Sequence, residues 1–333
     1  MSVSTASAAT PTANPGMHSR SKRQKRNGMI LAGVGLVFLL AGPWFFYPGF
    51  LMKAMCFALF ASAYNLIFGF GGLLSFGHAA FFGGSAYIAG HAAKVWGFPP
   101  ELMLLTGLAT GAGLGLAFGV FAIRRQGIYL AMVTLALAQM VYFIALRAPF
   151  TGGEDGLQGI PRGHLFGLID LSTTMNMYYF LTFVFVLVIA LIVRIVNSPF
   201  GQLLRAVRDN ELRAVSLGYD ANRVKLLAFV LSSALSGLAG AMKALVFQLV
   251  ALSDVHWMMS GEVVLMTLLG GAGTLAGPIV GATVIVTMQN YLAGLGSWVI
   301  IIQGAIFVLC VLLLRGGIVR GVSDLWAVFS DRR

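Results

Sequence analysis

SPFGQLLRAVRDNELRAVSLGYDANRVK, residues 198–225, is a basic, amphipathic segment in a chain that is otherwise almost entirely apolar. Leu203, Val207, Ala214 and Leu217 recur near helical spacing, so they could share one face of a helix. The polar remainder of the segment is supplied by Arg205, Arg208, Asp209, Glu211 and Arg213. Such a segment is either a solvated connecting loop or a docking helix for a partner, and we favour the docking helix.

The composition identifies an integral membrane protein. Of the 333 residues, 58% are hydrophobic and 10% are charged, whereas an average soluble domain has about 25% charged residues. The excess of 22 Lys and Arg over 11 Asp and Glu is distributed as membrane topology requires, so we exclude a nucleic-acid partner and expect a lipid bilayer. Cys56 and Cys310 lie in apolar runs and indicate neither a disulfide framework nor a metal site.

The N-terminal residues 1–28 are predicted to be a disordered basic tail. Residues 1–19 are rich in Ser, Thr, Ala and Pro. A basic cluster follows, and an apolar run then begins near Met29 and reaches the aromatic residues of 43–47. No small-residue cleavage site follows a short apolar core, so we interpret this run as a retained first span.

The hydrophobic pattern predicts an all-α, polytopic transmembrane bundle, since a span needs about 20 apolar residues. The candidate spans are 29–47, 51–70, 72–93, 102–123, 128–147, 178–196 and 226–250. The region 260–314 holds two apolar runs joined by GGAGTLAGP at 270–278. It forms either one long span plus another, or three shorter elements that include a broken or re-entrant helix. We therefore expect about eight to ten membrane helices.

The positions of the basic residues predict the orientation. With the N-terminus in the cytoplasm, 17 of the 22 Lys and Arg fall on the cytoplasmic side, as the positive-inside rule requires. This arrangement gives a transmembrane domain over 29–315 and a cytoplasmic C-terminal tail over 316–333. It also makes the number of crossings even.

Polar residues and glycines inside the spans are candidates for a translocation path. Six glycines between residues 69 and 84 make the segment 64–91 a poor uninterrupted helix. A helix end at such a break could receive a carboxylate, or the glycines could serve close helix packing, with His78 satisfied by a neighbouring carbonyl. The candidates are Asn65, Gly71, Gly72, Ser75, Gly77, His78 and Lys243.

Lys243 is a basic residue well inside a predicted span, which makes it a functional candidate. The alternative is a structural role, in which Lys243 snorkels or pairs, for example with Glu262. Outside the loops, Glu262 is the single plausible intramembrane acid that we identify from the sequence. This scarcity of acids argues against coupling to an ion gradient.

The segment 148–177 is the longest external loop, and its Gly and Pro content predicts turns. We expect Gly153, Glu154, Asp155 and Gly156 to face a soluble partner or to cap a cavity. The chain contains no Walker A, HExxH or GxSxG pattern and no Cys/His cluster with metal spacing. We therefore predict no enzyme active site and no metal site.

Three blocks resemble permease subunits of bacterial branched-chain amino acid ABC importers of the LivM/LivH type, and look closer to LivM. The blocks are residues 63–90, 151–161 and 198–242, and the third is followed by 268–282. The resemblance extends over roughly residues 30–320 and implies a permease domain in the bacterial inner membrane. It also implies a second permease subunit, two cytoplasmic ATPase subunits and a periplasmic binding protein. This chain would bind no cofactor, because the partners use the ATP.

The resemblance makes 198–225 the ATPase-coupling loop. Its candidate residues are Ser198, Pro199, Phe200, Gly201, Arg205, Arg208, Glu211, Arg213, Ala214 and Gly218. Where the family often carries Glu-Ala-Ala followed by Gly, this chain has Leu212, Arg213 and Ala214 followed by Gly218, and Glu211 is displaced by one position.

The expected function is import of branched-chain or related amino acids delivered by the binding protein. One alternative keeps this architecture and changes the cargo to urea, short amides or aromatic acids. A second alternative is an ion-coupled carrier or channel that acts without an ATPase.

Overall fold

The fold is known from a computed structural model that describes residues 33, 35, 37, 39–125, 127–296, 298–313, 316–319 and 321. The predicted tail 1–28 and residues 322–333 lie outside the described residues, as does much of the predicted first span. Residues 39–45 are helical and belong to a separate compact unit, Met1–Phe45. Everything that follows concerns the second unit, Phe46–Arg333.

Eleven α-helices are described in this unit, and the prediction of an all-α polytopic membrane protein is confirmed. The helices are α1 Pro48–Asn65, α2 His78–Val95, α3 Pro100–Ala122, α4 Ile128–Arg147, α5 Thr174–Asn197, α6 Pro199–Asp209, α7 Glu211–Ser216, α8 Ala221–Phe247, α9 Trp257–Gly270, α10 Gly277–Tyr291 and α11 Trp298–Leu313. A π-helical turn, Leu66–Phe70, extends α1.

Five helices in the described part of the chain are long and apolar enough to cross a membrane: α1 with its extension, α3, α4, α5 and α8. The remaining apolar helices are shorter. The region 260–314 forms three of them, α9 to α11, so the second of the two sequence alternatives is the observed one. The predicted span 72–93 begins later than expected, because residues 71–77 are not helical.

The helices α1 and α8 form the centre of the bundle. In their most apolar stretches, 89% and 78% of the residues are buried, against 28–33% in α3, α4 and α5. Glycines allow α3 to approach α8: a Cβ on Gly111 would lie 2.5 Å from the Ser233 carbonyl oxygen, and one on Gly107 would lie 2.5 Å from the Ala241 Cβ. This spacing of small residues is typical of tightly packed membrane helices.

The two ends of α8 carry different structures. Near its first residue lie α6 and α7, and we call this side of the bundle the α6 end. Its last residue leads into β4 (Leu249–Val250), which pairs antiparallel with β1 (Leu157–Gln158). A second hairpin joins β2 (His164–Leu165) to β3 (Ile169–Asp170). Because α8 has 27 residues, about 40 Å separates the α6 end from the end that carries these hairpins.

Candidate functional site

The segment 198–225 forms two short helices and the start of α8, and side-chain caps set their boundaries. The Ser198 hydroxyl accepts a hydrogen bond from the Gly201 N–H at 3.3 Å, with Pro199 in the first turn of α6. Asn210 ends α6 and caps α7, since its Oδ1 accepts from the Arg213 N–H at 2.9 Å. Asn at a helix start is favoured for this reason, and this pattern could have revealed the break within the segment.

The break at Asn210 changes which residues share a face. Val207 and Ala214 are buried against the rest of the chain, whereas Leu217 is 71% exposed. The expectation that these residues and Leu203 form one docking face is therefore wrong. The physical reason is that a non-helical residue between α6 and α7 ends the helical periodicity on which the prediction relied.

A different set of apolar residues is exposed on and just after α7. Leu212, which is 85% exposed, is its most prominent member. We name this set the α7 ridge, and it comprises Leu212, Val215, Leu217 and Tyr219. Contiguous exposed apolar residues outside the membrane-spanning helices indicate an interaction surface.

The charged residues of the segment differ in whether they bond to the rest of the chain. The Arg205 guanidinium stacks over the Phe70 ring at 5.1 Å and donates to the Val196 carbonyl oxygen at 3.1 Å. Arg208 donates to the Gly69 carbonyl oxygen at 2.7 Å. By contrast, Arg213 is exposed. The candidates Phe200, Glu211 and Gly218 lie on the same two helices or directly after them, and Glu211 forms an ion pair with the buried Lys225 at 2.6 Å.

The first glycine-rich break follows the π-helical turn and lies at the α6 end. Gly72 has φ +69°, a left-handed conformation that favours glycine, and a Cβ there would lie 2.5 Å from the Arg208 Cγ. At the last residue of α1, before the π-helical turn, Asn65 donates to the Thr274 carbonyl oxygen at 2.8 Å and accepts from the Gly273 N–H at 2.9 Å. The side chain of Asn65 therefore connects the end of α1 to the turn between α9 and α10.

Sequence reasoning treated the two glycine-rich stretches as separate features, and the structure brings them into contact. A Cβ on Gly273 would lie 3.2 Å from the Gly69 carbonyl oxygen. The residues that meet here are more than 200 positions apart in the chain, so no local pattern could have indicated their contact.

The candidates Ser75, Gly77 and His78 lie deeper in the bundle and are buried. The Ser232 hydroxyl donates to the Ala63 carbonyl oxygen at 2.6 Å, and His78 Nε2 lies 2.9 Å from the Ser232 Oγ. Because Ser232 has one proton to give, His78 donates from Nε2 and accepts at Nδ1 from Ser75, whose Oγ is 3.2 Å away. The polar atoms of His78 are thus satisfied by serines, not by the carbonyl considered from sequence.

Gly71 is also buried among the candidates, and Gly72 is exposed. Six of the seven path candidates therefore lie in the first break or at the helix ends that flank it, from Asn65 to His78, whereas Lys243 lies on α8. Their role in a translocation path stays a prediction.

Lys243 forms an ion pair with Asp254, a residue that the sequence analysis missed. The Asp254 side chain is 3% exposed, and its Oδ2 also accepts from the Ala251 N–H at 3.2 Å. The suggested partner Glu262 is bonded instead to the Gln289 amide. Asp254 lies only 11 positions after Lys243, beyond the end of α8, and the turn that follows β4 folds it back towards the lysine.

Of the external-loop candidates, Gly153, Glu154 and Asp155 form a short 3-10 turn at the opposite end from α6, and Gly156 directly follows it. A Cβ on Gly156 would collide with the Val250 carbonyl oxygen, so this glycine allows the close pairing of β1 and β4. Next to the turn is an open cavity of about 560 Å³, whose lining includes His91, Lys94 and Asp155.

One polar contact joins two residues of the cavity lining, since Lys94 donates to the Gln158 carbonyl oxygen at 2.8 Å. After the β2–β3 hairpin, the N–H of Ser172 donates to Asp170 Oδ1 at 2.9 Å and lowers the pKa of that carboxyl from its ordinary value. Among the residues that the structure describes, no group of three or more His, Cys, Asp or Glu could hold a metal ion.

Comparison with known proteins identifies the family. The family model described as "Branched-chain amino acid transport system / permease component" matches residues 47–311. The LivM high-affinity branched-chain amino acid permease proteins of Salmonella typhimurium and Escherichia coli are 27% and 28% identical to the chain, over 77% of its length. The match spans 65% of each of those relatives.

A sugar permease is also similar. The ribose import permease protein RbsC of Bacillus subtilis is 28% identical over 69% of this chain and 72% of its own length. No solved structure matches the chain at a significant level.

Proposed function

We propose that this chain, which belongs to the family of branched-chain amino acid transport system permease components, is the membrane-spanning subunit of an ATP-binding-cassette importer. Its cargo would be branched-chain or related amino acids. The observation that carries the proposal is the α7 ridge, an apolar surface presented outside the membrane-spanning helices by the short capped helix α7 and the residues just after it.

The α7 ridge suits docking into a groove of a cytoplasmic ATPase. Leu212 and Val215 are exposed and one helical turn apart, so they can enter a groove together. Arg213, exposed on the same helix, would meet acidic residues at the rim of that groove. In contrast, Arg205 and Arg208 already bond to the chain itself, so the ATPase contact falls on α7 and not on α6.

The partners and location follow from the same proposal. Two ATPase subunits would dock at the α6 end, and ATP would be bound by them and not by this chain. A second permease subunit would complete the path. A periplasmic binding protein would deliver cargo at the opposite end, where the turn Gly153–Asp155 borders the cavity. The charge distribution supports an inner-membrane protein with cytoplasmic N- and C-termini.

The cargo is the least constrained part of the proposal. Two relatives are named as branched-chain amino acid permeases and one as a ribose permease. The uptake assay must therefore compare Leu, Ile and Val with urea, short amides, aromatic acids and ribose. We expect the branched-chain amino acids to be taken up fastest.

The first experiment is affinity purification of the tagged chain in mild detergent, with identification of the proteins that co-purify. Recovery of an ATPase and a second permease, followed by ATP-dependent uptake in proteoliposomes, would support the importer. A chain that purifies alone and moves solute under an ion gradient without ATP would contradict it and favour the ion-coupled carrier.

A further inference from the structure

Several chain segments meet at the α6 end of the bundle. They are the end of α1 with its π-helical turn, the helix α6, and the turn Gly271–Ala276 between α9 and α10. Residues that follow α11 also reach this point, since a Cβ on Gly271 would lie 2.8 Å from the Gly316 carbonyl oxygen. Two helix hairpins, α1–α2 and α9–α10, thus turn beside the helix that leads into α7.

Asn65 joins the two hairpin turns to each other. Its side-chain nitrogen donates to the Thr274 carbonyl oxygen at 2.8 Å, and its side-chain oxygen accepts from the Gly273 N–H at 2.9 Å. A planar group with a donor and an acceptor side by side matches these two backbone groups. Gly69 leaves room for the contact, because a Cβ there would collide with both the Asn65 Oδ1 and the Gly273 N.

Arg208 connects α6 to the π-helical turn at the end of α1. Its Nη1 donates to the Gly69 carbonyl oxygen at 2.7 Å, near the end of the π-helical turn where a positive charge is favoured. Asp209 orients the guanidinium, since its Oδ1 accepts from Arg208 Nε at 3.0 Å and from Nη2 at 2.9 Å. The Arg205–Phe70 stacking provides a second contact between α6 and the turn.

We propose that Asn65 and Arg208 are positioning residues that make α6, the end of α1 and the α9–α10 turn move as one body. A displacement of α6 would then reach both helix hairpins at the same moment. The consequence for transport rests on the proposed function, in which an ATPase displaces α6 and α7. Packed elements move as rigid bodies in this way because they have discrete arrangements and resist gradual deformation.

The first test measures whether α6 and the α9–α10 turn keep a fixed distance from each other, and it needs no ATPase. Spin labels are placed on Gln202 of α6 and Leu275 of the α9–α10 turn, both exposed, in a chain with Cys56→Ala and Cys310→Ala. In nanodiscs we expect one narrow distance distribution. We expect Arg208→Ala and Asn65→Ala to broaden it, and Arg208→Lys, which keeps one donor for Gly69, to stay narrow. A distribution that is equally narrow in both alanine variants would overturn the proposal.

The second test measures coupling in the complex purified with its ATPase. In Arg208→Ala and Asn65→Ala we expect the uptake per ATP hydrolysed to be lowered by about fivefold or more. Arg208→Lys should recover part of the loss. Wild-type uptake per ATP in both alanine variants would overturn the proposal that Asn65 and Arg208 transmit the displacement of α6 to the helix hairpins. If the wild-type complex contains no ATPase, the proposed function fails, while the spin-label distances still decide whether the link exists.

Discussion

The guanidinium of Arg208 donates a 2.7 Å hydrogen bond to the carbonyl oxygen of Gly69, a residue 139 positions earlier in the chain. This bond ties the arginine to the end of α1, although its side chain is still 38% exposed and its sequence context resembles an exposed basic loop. It also explains why Gly72 carries no side chain, because the methylene groups of Arg208 occupy that space. The polar segment 198–225 therefore combines exposed apolar residues on α7 with an α6 arginine that bonds to a distant part of the chain.

The first prediction separates backbone strain from packing at two glycines. Gly72 and Gly218 both have positive φ, +69° and +89°, so alanine is strained at both, by about 1–2 kcal/mol. Only at Gly72 does the new Cβ meet another side chain, whereas nothing lies within 4 Å at Gly218. We expect Gly72→Ala to cost about 1–3 kcal/mol more than Gly218→Ala. Unfolding midpoints in detergent measure the difference, and equal midpoints would contradict the packing explanation.

The second prediction concerns the α7 ridge as the ATPase contact. Leu212→Glu should abolish co-purification of the ATPase, because it places a charge in the proposed apolar contact. Leu168→Glu is the matched control, since Leu168 is 88% exposed but lies in the β2–β3 turn at the other end of the bundle. We expect it to retain the ATPase. Loss in both variants, or in neither, would remove the ridge as the docking site.

The third prediction concerns the buried ion pair of Lys243 and Asp254. Lys243→Met leaves a buried carboxylate without its counter-charge and should destabilise the protein by about 3–5 kcal/mol. Adding Asp254→Asn should restore part of that stability. Lys94→Met is the control, because that lysine makes one exposed hydrogen bond at the protein surface. A double-mutant cycle on unfolding midpoints tests this, and additive effects would show that the pair is not coupled.

The fourth prediction compares two adjacent serines on α8. Ser232 bridges His78 and the Ala63 carbonyl oxygen, while the Ser233 hydroxyl bonds back to Val230 in its own helix. Ser232→Ala leaves the His78 Nε2–H buried without an acceptor, which should cost about 1–3 kcal/mol. Ser233→Ala should be close to neutral, since the Val230 carbonyl retains its place in the helix. Thermal unfolding in detergent compares the stability of the two variants. A larger loss of stability in Ser233→Ala than in Ser232→Ala would contradict the His78 hydrogen bonds.

Local sequence was sufficient for several features of this protein. The scarcity of charge identified a membrane protein, and apolar length identified the five long apolar helices of the described residues, because desolvation of the backbone in lipid leaves few alternatives to helices. Glycine content located the break after α1 and the break at residues 271–276, since glycine tolerates positive φ that other residues avoid. The motifs that resemble a permease family were equally local, and the family match confirmed them.

Only the tertiary structure decided which groups meet. Asn65 finds Gly273 and Thr274, Arg208 finds Gly69, and Lys243 pairs with Asp254 instead of Glu262. The pairings of Asn65 and Arg208 join residues far apart in sequence, and that of Lys243 depends on how the turn after β4 folds back. Hydrophobic pattern fixes the length of a helix and where it breaks, but it does not fix its neighbours. Those neighbours follow from the mutual fit of whole helices, and from the need of each buried polar group for a partner.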